Sequence, residues 1–524
     1  MTWSKLRGRL DLNLALIMLL SVIAFAPLTY PGFFQSHSGF VPVFNLYDLE
    51  RDFWGNWGWV PHLTGSPDLM KGEGPLPYLL AELLRWLGMG GVQAIKGIYL
   101  LGFVASGMAM YLLGKRLFGP AGGLLAGVVY VYAPFHLATV YVRGAFAEAW
   151  AFAMYPLVIW CWKRYLDNGR ALWAALGVLA YAALASTGLG LALLFALFIL
   201  VFVLVLGPSR RAKARGLLVL ALALVVALLI QLPSAIRYGL PALGDGGFTQ
   251  HFVYPFQLLA ASWGYGASVP GWEDTLPLQL GLAATGLTLL AGLLLMAERG
   301  VDPRLLRTAG FFVAAAAVTV LLVTHPASLL WQLSGLSSML YYPWQLLAFA
   351  AFAMSVASGA TVRLAPRLAR LPWQAVLATV VILGSYAYLS PRFTDVQVGG
   401  TPVAVLGENV ILLTYQRDGP LRHGATVRFT LYWQGLRPME MDYTVFVHVL
   451  DQEGAIWAQR DSVPVAGERP TSTWQPGEVI EDEYEMIIGL EGPREGYTVE
   501  VGLYDPSTGM RLMLPDGATA AVVE

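Results

Sequence analysis

Three carboxylates, Asp48, Glu50 and Asp52, crowd into "YDLERD" within the longer stretch "FFQSHSGFVPVFNLYDLERDFWGNWGW", which also carries His37 and Asn45. On a helix Asp48 and Asp52 stand one turn apart on the same face, so both could meet one metal ion or one substrate hydroxyl, while Glu50 points elsewhere. The same spacing serves an amphipathic helix whose acids only meet water at an interface. His37 precedes a Gly-containing, Pro-interrupted stretch where backbone and imidazole can converge on a ligand; a turn-capping surface histidine fits there too. Further along, "YAPFHLATVYVRGAFAEAW" holds His136, Arg143 and Glu148 at or near membrane depth. Arg143 with Glu148 reads equally as an anion site for a phosphate and as an ion pair clamping two helix ends. "GDGGFTQHFVYPFQLLAASWGYGASVPGWED" adds His251 and Trp263, and "HPASLLWQLSGLSSMLYYPWQ" adds Trp331, Tyr341, Tyr342 and Trp344. Such aromatics suit an interfacial belt, and also stacking on sugar rings or contact with an isoprenoid chain. The chain carries no P-loop, dinucleotide fingerprint, nucleophile elbow or HExxH motif, which removes support for those enzyme classes. A divalent metal is compatible with the acids, but no specific motif indicates one, and the cofactor stays unknown.

The elements that must position these residues follow from composition. Of 524 residues, 56% are hydrophobic and 13% charged, against about 25% charged in soluble domains. Too little polar surface exists to coat a water-soluble body of this size. The net charge of -1 provides no basic field for nucleic acid. The lone Cys161 can form neither an internal disulfide nor a cysteine metal site. "LNLALIMLLSVIAFAPLTY" follows Lys5, Arg7 and Arg9 and reads as a retained first helix.

About eleven apolar runs are long enough to cross a bilayer, at 12–28, 92–113, 121–140, 145–162, 171–185, 189–206, 217–230, 278–296, 309–323, 344–360 and 373–389. Every second joining loop is basic, including Lys115/Arg116, Lys163/Arg164/Arg170, Arg210/Arg211/Lys213/Arg215, Arg299/Arg304/Arg307 and Arg363/Arg367/Arg370. The positive-inside rule places these in the cytoplasm with the N-terminus, and turns the loops at 30–90, 186–188, 232–277 and 325–343 outward. An odd number of crossings leaves the C-terminal tail outside. The reading is a transmembrane domain over 1–392 and an extracytoplasmic β-domain over 393–524. In "TVRFTLYW" Val427, Phe429, Leu431 and Trp433 alternate with polar residues, and "YTVEVGLYD" alternates likewise. Seven or so short antiparallel strands suggest an immunoglobulin-like sandwich.

The stretch from "GPLPYLLAELLRWLG" through "GMAMYLLGKRLFGPAGGLLAGVVYVYAPFHLATVYVRGAFAEAWAFAMYPLVIW", with "HFVYPFQLL", "SWGYGASVPGWED" and "YYPWQLL", resembles bacterial membrane proteins related to 6-pyruvoyl-tetrahydropterin synthase. These look like polytopic glycosyltransferases of the GT-C type. The tail, with "VFVHVLD", "PTSTWQPGEVIEDEY" and "VGLYDPSTG", is similar to a β-domain appended to many such proteins. The resemblance implies a plasma-membrane protein that takes sugar from a polyprenyl phosphate on the outer leaflet, with a glycan or protein as acceptor. It implies Asp48, Glu50 or Asp52 as the catalytic acid; His37, Asn45, His136, Arg143, Glu148, His251 and Trp263 stand beside them as candidates for substrate binding. The chain departs from the pattern at Gln345, where arginine commonly follows Pro–Trp, and at Thr187 or Gly188, where histidine is often seen. A non-catalytic envelope scaffold and a lipid-linked glycan transporter are the alternatives, the latter expecting broken helices at mid-membrane.

Overall fold

The structure is a computed structural model that describes residues 11–51, 74–238, 247–260, 263–297 and 300–523. Each of the eleven apolar runs is a helix, or a bent pair of helices, in it. Among the described residues, however, seven helices are long and apolar enough to cross a membrane, or eight when the bent pair Pro120–Val131 and Pro134–Tyr141 counts as one span. The three other apolar runs form the helices Phe146–Asn168, Ala171–Ala185 and Leu282–Ala297, which fall outside that test of length and composition. Ala171–Ala185 has 15 residues, roughly 22 Å of helix at 1.5 Å per residue, shorter than a hydrocarbon core of about 30 Å. Leu282–Ala297 is similarly short. Phe146–Asn168 carries Glu148 in its first turn and Pro156 inside. The chain is a multi-span membrane protein. Leu218, Leu222, Leu229, Leu293 and Leu383 remain exposed on its outer helices, as lipid-facing residues do.

Lipid supplies no hydrophobic drive for one helix to meet another, so close packing relies on small residues. A side chain on Gly359 would meet the carbonyl oxygen of Gly122 at 2.6 Å. Only glycine lets Pro120–Val131 lie this near Leu347–Leu364, which is wholly buried along its apolar window. At one end of the bundle the basic loops are tied by Lys115–Asp11 and Arg116–Asp167 ion pairs, both 2.6 Å.

The tail forms two four-stranded antiparallel sheets, β10-β9-β6-β7 and β3-β4-β5-β8. Here β3 is Ala404–Leu406, β4 Val410–Asp418, β5 Thr426–Gly435, β6 Thr444–Leu450, β7 Ile456–Ser462, β8 Val479–Ile487, β9 Thr498–Tyr504 and β10 Ala521–Val523. The alternation read in β5 is realised: Val427, Phe429, Leu431 and Trp433 are fully buried and pack with Val445, Val447, Val499 and Val501 from the facing sheet. Water does drive this burial, at about 1.5–3 kcal/mol per large apolar side chain.

Two features join tail to bundle. Strand β1 (Phe33–Gln35), just after the first helix, pairs antiparallel with β2 (Arg392–Thr394), just after the last, in the register Phe33↔Thr394 to Gln35↔Arg392. The Phe40 amide donates to Oε1 of Gln434 at 2.9 Å. The first loop and the β-sandwich therefore share one face of the bundle.

A two-domain cavity as the candidate functional site

On that face lies a cavity of about 400 Å³ to which four loops and the sandwich each contribute: His37 and Ser38, Gly188, Ser268, Tyr342 with Trp344 and Gln345, and Leu436 to Pro438 with Pro476. The four loops are those read as outward from their scarcity of basic residues. Their convergence places them on a common side.

Arg143 forms the cavity's charged centre. It sits in a turn after Pro134–Tyr141, and the first loop is laced to that turn: the His37 amide donates to the Val142 carbonyl at 2.8 Å and the Ser38 amide to the Arg143 carbonyl at 3.2 Å. Nη1 of Arg143 donates to Oε2 of Glu148 at 2.5 Å, and its guanidinium lies over the Trp344 ring, 4.6 Å from the centroid. Oε1 of Glu148 accepts from Nε2 of Gln345 at 2.7 Å, while Oε1 of Gln345 accepts from the amides of Tyr341 and Tyr342 at 3.1 and 3.2 Å. Glu148 occupies the first turn of its helix, where the helix dipole favours a negative charge. An arginine gripped along one edge and stacked on an indole presents its remaining N–H groups in a fixed direction, the geometry that suits a phosphate.

His37 faces the cavity half-buried. Its Nε2 lies 3.0 Å from the Tyr265 carbonyl and so carries the proton, leaving Nδ1 as acceptor. Burial, aided by the charge of Arg143, pulls its pKa down to about 4. The ring is neutral at pH 7, a weak base and a good hydrogen-bond acceptor for a hydroxyl.

The other sequence candidates are dispersed. His251 stands behind the wall: its Nδ1 is 2.9 Å from Oγ of Ser268, which donates to Asp274 at 2.6 Å and accepts from Nε1 of Trp344 at 3.1 Å. Burial raises the Asp274 pKa. Trp263 stacks on Tyr388, 4.9 Å between centroids, outside the cavity lining. His136 is within the bundle, stacked on Phe152 at 4.1 Å and 4°, with Nδ1 3.1 Å from the Tyr130 carbonyl. Asn45 is buried and donates to the Tyr78 hydroxyl at 3.3 Å. Asp48 is buried on helix Val41–Arg51 and does not line the cavity. Glu50 pairs with Arg85, and Asp52 lies outside the described residues. Glu148 is the carboxylate that does line the cavity. Among the described residues no group of three or more histidine, cysteine or acidic side chains is placed to hold a metal.

Sequence reading did not single out Ser268, Gln345 or Arg437 as site residues. Only Gln345 left a trace, as a glutamine where the resembling chains carry arginine.

No family model matches the chain, and no curated protein does either; the 6-pyruvoyl-tetrahydropterin synthase-related label draws no support. Among solved structures, the chain is similar to the arabinofuranosyltransferase AftD from Mycobacteria, with 16% identity and a TM-score of 0.44, covering 72% of this chain and 27% of that one. It thus spans about a quarter of that protein's length. Similarity extends to ArnT from Cupriavidus metallidurans in the apo state (16% identity, TM-score 0.32, covering 67% and 76%). ArnT bound to undecaprenyl phosphate gives 15% identity, a TM-score of 0.32 and coverage of 71% and 78%.

Proposed function

We propose that this chain is a GT-C-like glycosyltransferase of the plasma membrane that moves a sugar from a polyprenyl-phosphate donor to an envelope acceptor on the outer face. The observation that carries the reading is Arg143, held by Glu148 and Trp344 in a cavity at the loop end of a membrane bundle. An anion-binding cation at that depth suits a lipid-borne phosphate, and the neutral His37 beside it suits a sugar or acceptor hydroxyl. In an inverting transfer an outward carboxylate takes the acceptor proton while Arg143 steadies the departing phosphate. Of the two acids singled out in the first loop, Asp48 is buried away from the cavity lining, so Asp52 is the proposed base. Glu148 has both oxygens engaged, which suits it to holding Arg143 rather than to receiving a proton.

The bent pair Pro120–Val131 and Pro134–Tyr141, with its 42° break, is what a transporter reading would point to. Its residues are buried, and at the break the Ser385 hydroxyl donates to the Tyr132 carbonyl at 2.7 Å, which satisfies the freed backbone group within the bundle.

The deciding experiment is transfer from a polyprenyl-phosphate sugar in proteoliposomes, alongside lipid extraction from cells lacking the protein. Asp52→Asn should lower transfer about 10²–10⁴-fold, as loss of a positioned base does, and Arg143→Gln should weaken donor binding. Full activity in Asp48→Asn and Asp52→Asn, with Arg143→Gln lowering only protein abundance, would hand the chain to the scaffold reading.

A further inference from the structure

The wall of the cavity that faces the β-sandwich is latched in place. At Gly477 (φ 72°) an added Cβ would lie 1.5 Å from the Ser36 carbonyl oxygen and 3.1 Å from the Gly39 nitrogen, so backbone packs directly on the loop carrying His37. The Gly477 amide donates to the Gly435 carbonyl at 2.7 Å, which ties this contact to the end of β5. The next residues, Leu436, Arg437 and Pro438, enter the cavity lining. A domain seated this way is part of the site.

Arg437 repeats the arrangement of Arg143. Its Nε donates to the Glu408 carbonyl at 2.9 Å and one Nη pairs with the Glu408 carboxylate. Both holds lie along one side of the guanidinium, which orients the other Nη group. The cavity thus has two oriented arginines. Arg143 is mostly covered and stands with Gly190, Leu191 and Leu340, at the ends of the membrane helices. Arg437 is nearly half exposed and stands on the aqueous domain. A single lipid phosphate at Arg143 leaves the second arginine for another group, approaching from the aqueous side.

We propose that Arg437 recognises an oxyanion on the acceptor, making the acceptor an anionic saccharide that bears a carboxylate or a phosphate. This rests on the glycosyltransferase reading for the word acceptor; the binding it asserts does not. The test uses the full chain in detergent micelles, with glucose, glucuronate and glucose 6-phosphate as probes compared by saturation-transfer NMR. The three share a ring and differ at C6. The anionic sugars should bind about tenfold more tightly than glucose, the worth of one charge-assisted hydrogen bond, and the tighter of the two names the anion. Arg437→Gln should bring all three to the same level, whereas Arg143→Gln should leave the preference in place. Equal binding in the wild type overturns the proposal, as does a preference that survives Arg437→Gln or that disappears only in Arg143→Gln. Should Arg437→Gln fail to fold, Glu408→Gln decides: removing the competing carboxylate should tighten anionic binding, and an unchanged or weaker preference counts against the idea. No transfer is measured, so a chain that binds anionic sugars yet transfers nothing fails the enzyme reading alone.

Discussion

Gln345 shows how one side chain can hold a site without touching chemistry. Its amide satisfies two backbone N–H groups with the oxygen and one Glu148 oxygen with the nitrogen; arginine, a donor only, could not accept from those amides. Gln345→Ala strands these buried partners and should cost about 1–3 kcal/mol of stability, read as a lower thermal midpoint in micelles. An unchanged midpoint would mean that water replaces the amide freely. His37 makes a prediction in pH. Its folded pKa lies near 4 against 6.5 for a free imidazole, so between those values the unfolded chain binds a proton that the folded chain refuses. Its contribution to stability is therefore intact above pH 6.5 and declines as pH falls toward 4. The midpoint of His37→Asn should fall less between pH 7 and 5 than that of the wild type; parallel profiles would show that the ring is not desolvated as described. Neither residue's role could be seen in sequence, because each depends on at least one partner more than a hundred positions away in the chain.

Elements explain why the two domains behave as one. The β-sandwich has its own core, in which Trp433, Trp474 and Tyr484 are buried, so a fragment from Thr394 to Glu524 should fold alone and give a β-type circular dichroism spectrum. The contact at Gly477 separates folding from docking. Gly477→Ala places a methyl where Ser36 stands, at a φ that L residues rarely adopt. In the whole chain it should speed limited proteolysis of the first loop, while the same substitution in the fragment should leave that domain folded. If the fragment unfolds and the full chain resists protease as before, Gly477 shapes the sandwich and not the latch. Strand alternation made the sandwich legible, because water on one face and core on the other impose a period of two. The latch left no periodic mark, since it is made by a turn glycine against a distant carbonyl.

For the molecule as a whole, the arrangement of loops defines one face, and the scarcity of basic residues on it is the ground for proposing that it lies outside. Because Cys161 is buried, cysteines introduced at Ser472 and Ser209 should report cleanly: an impermeant thiol reagent added to intact cells should label the first and spare the second. The reverse pattern would invert the topology and remove the outer-leaflet donor with it. By itself the sequence determined that this is a membrane bundle with a β-domain, where the helices run, and which loops belong together, since lipid and water sort residues by local polarity and period. The pairing of Arg143 with Glu148 was legible in the sequence, but only the tertiary structure decided which other groups join it. Asp48, Asp52 and Glu50 gave the densest polar signal along the chain, yet Asp48 and Glu50 lie outside the cavity lining, and the cavity instead gathers Arg143, Glu148, His37 and Arg437 from segments up to four hundred residues apart. Such a gathering is set by how helices and a sandwich dock, through glycine contacts and single hydrogen bonds that no local pattern encodes.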